Sequence, residues 1–387
     1  MLLAILDFMN IQQTITFGLL CLLLWSPLAV APTFAQTITH VPLFTFDGGG
    51  SPSEMFGASV SDAGDVNGDG FDDLIVGAFG NANNGPDSGN ARVFSGVDGS
   101  VLYNFYGDSI LDRLGESVSG AGDVNGDGFD DLIVGVPFDD PNGGNSGSAR
   151  VFSGADGSIL YSFDGDSAGK FFGVSVSGAG DVNGDGFADL IVGAATDFDN
   201  GSDSGSARVF SGVNGAVLYN FDGDSAGDRF GTSVSGAGDV NDDGFDDLIV
   251  GAPNDDNNGS RSGSARVFSG VDGSVLYTFD GDSGDHNFGI SVSGAGDVNG
   301  DGVADFIVGA NSGGANNGGY ARLFVSQITT TVLLGDVNRD GEVTFADIGP
   351  FIEILIDGSF LDEADVNQDG LVDFADIPAF IAILQAG

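Results

Sequence analysis

Basic residues are scarce in this chain. Lys and Arg together number 10 against 57 Asp and Glu, a formal net charge of −47 over 387 residues. That balance excludes nucleic acid and anionic membrane surfaces as partners, because both reward Lys and Arg. Histidine occurs twice, as His40 and His286. Neither lies in a repeated context, and no nucleophile elbow or zinc motif is present. Cysteine is nearly absent: the single copy, Cys21, lies in the N-terminal segment, and the "GLL" before it makes a poor lipoprotein site. A chain cleaved beyond it has no disulfide, so any staple must be a metal. No G-x-y period accompanies the 67 Gly, which excludes collagen.

Such acidity normally goes with disorder. Regular apolar runs and 32 Phe argue for a packed core instead, which leaves bound cations as the means of neutralising many of the carboxylates. The abundant Gly, spread between short apolar runs, points to tight turns joining short strands. The first 35 residues differ from the rest. "FGLLCLLLWSPLAVAPTFA" is an apolar run broken by Pro27 and ending in small residues. Cleavage after Ala35 fits a secretory signal over 1–35, so the expected location is secreted, extracellular or cell-surface, with no membrane insertion after cleavage. The first basic residue is Arg92, so the signal lacks its usual charged start, and an uncleaved anchor is the alternative.

The stretch "GDVNGDGFDDLIVGA" from Gly64 returns with Asp123, Asp181, Asp239 and Asp297 in the place of Asp65, at steps of 58 residues. Five copies at one period mark a repeat architecture. Each unit offers four strand candidates. "SVS" is short, and "DDLIVGA" is a continuous apolar run suited to a fully buried strand. "ARVFSG" and "SVLYNF" are joined by the hairpin signal "VDG". Four strands without a helical period make one propeller blade. The loops between second and third strands vary and are polar, so they are expected at the surface. The last unit stops after "YARLFVS", while "PLFTFDGGG" from Pro42 matches a fourth strand. An N-terminal strand completing the last blade would close a ring of five blades and remove an open edge.

Calcium takes six to eight oxygens from carboxylates, amides and backbone carbonyls, and alternate residues of a tight loop with Gly at position 6 can supply them. All five loops carry Asp, Asn, Asp, Gly and Asp at positions 1, 3, 5, 6 and 9. The candidate ligands are Asp65, Asn67, Asp69 and Asp73; Asp123, Asn125, Asp127 and Asp131; Asp181, Asn183, Asp185 and Asp189; Asp239, Asn241, Asp243 and Asp247; and Asp297, Asn299, Asp301 and Asp305. The carbonyls of Phe71, Phe129, Phe187, Phe245 and Val303 stand at position 7. A plain polar turn needs no carboxylate at fixed steps, so the repetition favours a metal. Position 12, where a helix-loop-helix hand has Glu, is Val76. A strand, not a helix, follows, so the ion is expected to pin a turn rather than open a groove. Position 8 carries Asp72, Asp130 and Asp246 but also Ala188 and Ala304, so its carboxylate is not a required ligand.

These units resemble the FG-GAP repeats of integrin α-subunit propellers over about residues 42–326. The Phe-Gly pairs are Phe56-Gly57, Phe172-Gly173, Phe230-Gly231 and Phe288-Gly289, with Leu114-Gly115 in the second unit; Gly251-Ala252-Pro253 keeps the closing motif intact. The resemblance implies an all-β propeller of about five four-stranded blades, where integrin propellers have seven. Arg92, Arg150, Arg208, Arg266 and Arg322 recur in "ARVF" or "ARLF". They are expected to pair with acidic groups of their own or a neighbouring blade.

Beyond a linker at 327–333, two further loops stand 29 residues apart, "DVNRDGEVTFAD" and "DVNQDGLVDFAD". Candidate ligands are Asp336, Asn338, Asp340, Thr344 (directly or through water) and Asp347, then Asp365, Asn367, Asp369, Asp373 and Asp376, with the carbonyls of Glu342 and Leu371. Here position 12 is acidic. Helical spacing follows in Phe345, Ile348, Ile352 and Leu355, and again in Phe374, Ile377, Ile381 and Leu384. Residues 334–387 are similar to a type I dockerin, a small α-helical, EF-hand-like calcium domain. The resemblance implies a cohesin-like partner and attachment to a scaffold. A calcium-folded cap or self-association domain is the alternative.

Together these readings describe a secreted, Ca2+-binding, non-enzymatic propeller that mediates extracellular adhesion or recognition of a protein or polysaccharide ligand, tethered through its dockerin-like module. A carbohydrate-binding lectin and a polysaccharide-degrading component are the alternatives.

Overall fold

A computed structural model of the chain describes residues 43–49, 53–314 and 318–326. The expected signal (1–35), linker (327–333) and dockerin-like segment (334–387), with all ligands proposed there, lie outside the described residues. The chain divides into two compact units, Met1–Phe46 and Asp47–Gly387. Apart from the strand expected from Pro42, everything below concerns the second.

Five antiparallel sheets follow one another along the chain, each a simple meander. The first contains β1 (Ser59–Gly64), β2 (Asp73–Gly77), β3 (Asn90–Phe94) and β4 (Val101–Tyr106). The second contains β5 (Val118–Gly122), β6 (Asp131–Val136), β7 (Ser148–Phe152) and β8 (Ile159–Asp164). The third is β9 (Ser175–Gly180), β10 (Asp189–Ala194), β11 (Ser206–Phe210) and β12 (Val217–Asp222). The fourth is β13 (Ser233–Gly238), β14 (Asp247–Ala252), β15 (Ser264–Phe268) and β16 (Val275–Asp280). The fifth has three strands, β17 (Phe288–Gly296), β18 (Asp305–Ala310) and β19 (Tyr320–Phe324). This is the all-β, blade-by-blade architecture the repeat predicts.

The second strands of the three middle sheets are buried on both faces, as their unbroken apolar text requires: Leu132, Ile133 and Val134 are fully buried. First strands read "SVSGAG". Their small residues let neighbouring sheets approach, and successive sheets pack there, β1 on β5, β5 on β9, β9 on β13 and β13 on β17. At each of these junctions a first-strand Ser hydroxyl accepts from the next sheet, as Ser59 Oγ does from Val118 N at 3.1 Å and Ser233 Oγ from Val292 N at 3.0 Å. Fourth strands send one Phe inward. Phe105 stacks on Phe152 of the next sheet at 3.9 Å between centroids, Phe163 on Phe210 at 3.9 Å and Phe221 on Phe268 at 4.0 Å. Each pair adds about 0.5–1.5 kcal/mol to the roughly 2–3 kcal/mol of burying each ring.

The expected N-terminal closing strand is not formed. Residues 43–49 are not in a strand, and the last sheet keeps three strands among the described residues. The "DGGG" stretch starts a different contact. The carbonyls of Asp47 and Gly48 accept from the Arg92 guanidinium of the first sheet, which also pairs with Glu54. The outer faces show the same thing. Val60 on β1 is 66% exposed where Val118 is 5% exposed, and Ile307 on β18 is 37% exposed where Ile133 is fully buried. The loops between second and third strands are largely exposed, as expected, but Asn81, Asp197 and Asp255 within them are buried.

Candidate metal centres

Each candidate loop connects the first and second strands of its sheet. Its turn is made by short Asx side chains taking the loop's own N–H groups. In the first loop Asp65 Oδ1 accepts from Asp69 N at 3.0 Å and Oδ2 from Gly70 N at 2.8 Å. Asn67 Oδ1 accepts from Asp69 N at 3.0 Å, and Asp69 Oδ1 from Phe71 N at 3.1 Å. Gly70 has φ 88, a left-handed conformation that a side chain would strain. The other four loops repeat these bonds. Gly128 N reaches Asp123 Oδ2, Gly186 N reaches Asp181 Oδ2, Gly244 N reaches Asp239 Oδ2 and Gly302 N reaches Asp297 Oδ2, all at 2.8–2.9 Å. Asn125, Asn183, Asn241 and Asn299 each hold the N–H of Asp127, Asp185, Asp243 and Asp301 in turn. Those Asp residues hold the N–H of Phe129, Phe187, Phe245 and Val303. Positions 1, 3, 5 and 7 therefore wrap one turn, as the sequence predicts.

Position 9 is different. Asp73, Asp131, Asp189, Asp247 and Asp305 are fully buried at the start of the second strand. In the second loop Asp131 Oδ2 accepts from Val124 N at 3.0 Å and Oδ1 from Gly154 N at 2.9 Å. Asp189 takes Val182 N and Gly212 N, Asp247 takes Val240 N and Gly270 N, and Asp305 takes Val298 N and Ser326 N. This carboxylate ties the loop to the turn that follows the third strand, a structural task the ligand reading missed. Its sequence signal is the Gly two residues after "VF". In the first loop Asp73 Oδ1 takes Gly96 N, whereas the buried Asp73 Oδ2 has no hydrogen-bond partner. Among the described residues no three His, Cys, Asp or Glu side chains already converge as a metal cluster, because the loop carboxylates are turned onto backbone N–H groups.

The electrostatics favour a cation. Burial pushes the carboxyls of Asp131, Asp189 and Asp247 up to about 6. The position-5 and position-1 carboxylates add to the rise, and the backbone N–H bonds oppose it. An all-oxygen donor set around a Gly-hinged turn, a like-charge cluster and an orphaned buried oxygen at Asp73 fit a hard divalent ion.

The repeated Arg residues pair as expected. Arg150 Nη1 lies 2.8 Å from Asp108, in the turn after the preceding sheet, and Arg208, Arg266 and Arg322 pair likewise with Asp166, Asp224 and Asp282. The sequence reading did not find the buried pair Lys170 Nζ–Asp197 Oδ1 at 2.8 Å. Its only sequence signal is a Lys where neighbouring repeats have Asp.

The FG-GAP repeat model matches residues 56–94, 114–152, 172–210, 230–268 and 288–324, one match per sheet. The chain is an FG-GAP repeat protein. A dockerin type I model matches residues 334–384. Among curated proteins, this FG-GAP chain is 31% identical over 243 residues to integrin alpha-V of Gallus gallus, covering 57% of this chain and 23% of that protein. It is 33% identical over 228 residues to integrin alpha-5 of Xenopus laevis, covering 53% and 20%, and 35% identical over 164 residues to integrin alpha-11 of Homo sapiens, covering 39% and 14%. The chain thus matches less than a quarter of the length of these relatives.

Proposed function

We propose that this protein is a secreted, calcium-stabilised FG-GAP propeller that acts by recognition, without catalysis, and is tethered outside the cell through its dockerin domain. The observation that carries the calcium reading is the fivefold loop. Five copies of one Asx-turn end on a buried Asp, and in the first of them that Asp keeps a partnerless oxygen. The residues that would hold the ion are positions 1, 3, 5 and 9 with the position-7 carbonyl. Bound Ca2+ supplies charge neutralisation and a rigid turn. The chain's own residues pre-form that turn and anchor it to the sheet.

Recognition and attachment follow from the company the propeller keeps. Integrin alpha chains are similar to the repeats, and dockerin domains bind cohesin modules, so an extracellular protein or polysaccharide ligand and a cohesin-like anchor are the partners. Extracellular calcium modules bind at about 10⁻⁴–10⁻³ M, so the fold is expected to hold only where calcium is plentiful. Thermal melting in millimolar Ca2+ and in chelator tests this: a sharp fall in Tm supports the reading, and superimposable melts sink it. Pull-down with a panel of type I cohesins tests the tether, and failure of every cohesin removes that half of the function.

A further inference from the structure

The five loops share their ligand positions, although the fourth has Asp242 where the others have Gly at position 4, and they differ in what their neighbours supply. At every junction the position-8 residue of one sheet donates its N–H to the position-1 carbonyl of the preceding loop. Asp130 N reaches Asp65 O at 3.3 Å, Ala188 N reaches Asp123 O at 3.3 Å, Asp246 N reaches Asp181 O at 3.3 Å and Ala304 N reaches Asp239 O at 3.0 Å. At two of the four junctions a second bond closes the pair. Asp130 Oδ2 accepts from Asp65 N at 2.8 Å, and Asp246 Oδ2 accepts from Asp181 N at 2.8 Å. The carboxylate lies so close to the residue before position 1 that a Cβ on Gly64 would stand 2.2 Å from Asp130 Oδ2, and one on Gly180 would stand 2.1 Å from Asp246 Oδ2. The second and fourth loops meet Ala188 and Ala304 instead and lack this carboxylate.

We propose that Asp130 and Asp246 are positioning residues for the metal, reaching across a sheet junction to make the first and third loops tighter cation sites than the second, which meets Ala188 instead. Two physical effects act together. The carboxylate clamps the backbone of the first ligand, Asp65 or Asp181, so less ordering is left for the ion to impose. It also adds a negative charge beside a divalent cation, and calcium affinity follows the charge count and rigidity of the site. A charge within a few ångströms of a divalent ion near the protein surface is worth about tenfold in affinity. The alternation Asp130, Ala188, Asp246, Ala304 therefore separates loops clamped by the next sheet from loops that are not, with the fourth carrying the extra Asp242 of its own. Loss of calcium from such a chain proceeds in steps, the unclamped second loop emptying before the first and third. This inference rests on the calcium reading of the loops.

Calorimetric titration of the full chain with Ca2+ at fixed salt tests it. Asp246→Ala is expected to move one ion from the tighter class to the weaker, with about a tenfold loss of affinity. Ala188→Asp, which adds rather than removes a group and has Gly122 to make room, is expected to move one ion the other way. Total stoichiometry stays constant in both variants, a result that general destabilisation would not give. Isotherms of both variants identical to the parent's, with stoichiometry above two, overturn the inference and leave calcium binding intact. A parent stoichiometry of two or fewer, which the two dockerin loops alone account for, overturns the calcium reading of the propeller itself.

Discussion

The two ends of each sheet follow different rules. At the end that carries the first-to-second-strand loop, five turns keep Asp, Asn, Asp, Gly and Asp at positions 1, 3, 5, 6 and 9 and repeat the same Asx bonds. At the other end, the loops before the first strand and after the second bring two buried or half-buried polar positions together in each of the first four sheets, and their chemistry changes. Asn81 donates to Glu54 at 3.0 Å in the first sheet, and Lys170 pairs with Asp197 in the third. In the second and fourth sheets both positions are acidic: burial, aided by Asp139 and Asp255, holds Asp112 and Asp228 above their ordinary values. A framework that tolerates amide, ammonium and carboxylate at one place does not depend on a fixed ligand there. An end that keeps Asp, Asn, Asp, Gly and Asp five times keeps one set of oxygen donors.

Four outcomes would sharpen or break that contrast, in order of size. Calcium removal should act on the uniform end alone. At tenfold excess over Kd each site adds about 1.4 kcal/mol, so five sites add about 7 kcal/mol. Urea unfolding with and without chelator measures it, and a loss under about 1 kcal/mol would erase the distinction between the ends. Lys170→Met strikes the variable end. It leaves Asp197 buried without its cation and should cost about 3–5 kcal/mol in calcium or in chelator alike. A cost that depended on calcium would show the two ends to be coupled.

Asp189→Asn should change sign with conditions. In calcium it loses one site, about 1.4 kcal/mol at the same excess. In chelator it removes a carboxylate that burial and its neighbours already push up to about 6, and the variant should be no less stable than the parent. Equal destabilisation in both conditions would mean that the Asp acts only as a backbone staple. The smallest effect is a pH dependence at the variable end. Burial raises the Asp197 carboxyl, but its bonds to Lys170 and Ser206 outweigh this and leave it below its ordinary 3.8. The folded state therefore binds that proton less readily than the unfolded state. The stabilisation is complete above 3.8 and lost as pH falls through the lower folded value. Comparing acid unfolding of the parent with Asp197→Asn checks it, and a parent stabilised by acid in that window contradicts the pair.

Much of the uniform end was legible in the text. Positions 1, 3, 5 and 6 turn where the spacing said, because Asx side chains and Gly act within five residues of themselves. Position 9 was legible as a residue but not as a role. Asp131 meets Gly154 across 23 residues of chain, and only the folded sheet brings them together. The Arg series is legible as a set of pairs, whereas Lys170–Asp197 is not, because Asp197 repeats as Asp139 and Asp255 while Lys170 stands alone among Asp112 and Asp228. The closing strand failed for a related reason. "PLFTFDGGG" matches a fourth strand in sequence, yet Asp47 and Gly48 end against Arg92, and the match could not foresee that competitor.

The amino-acid sequence by itself determined the 58-residue unit, the four-strand meander of each full sheet and the donor set of the candidate metal loops. All of these depend on local propensity, periodicity and turn residues. Tertiary structure alone decided which faces stay uncovered, why the position-9 Asp is buried, and which loops receive a carboxylate from the next sheet. Asp130 and Asp65 are 65 residues apart, and the bond between them exists only because one sheet packs against the next.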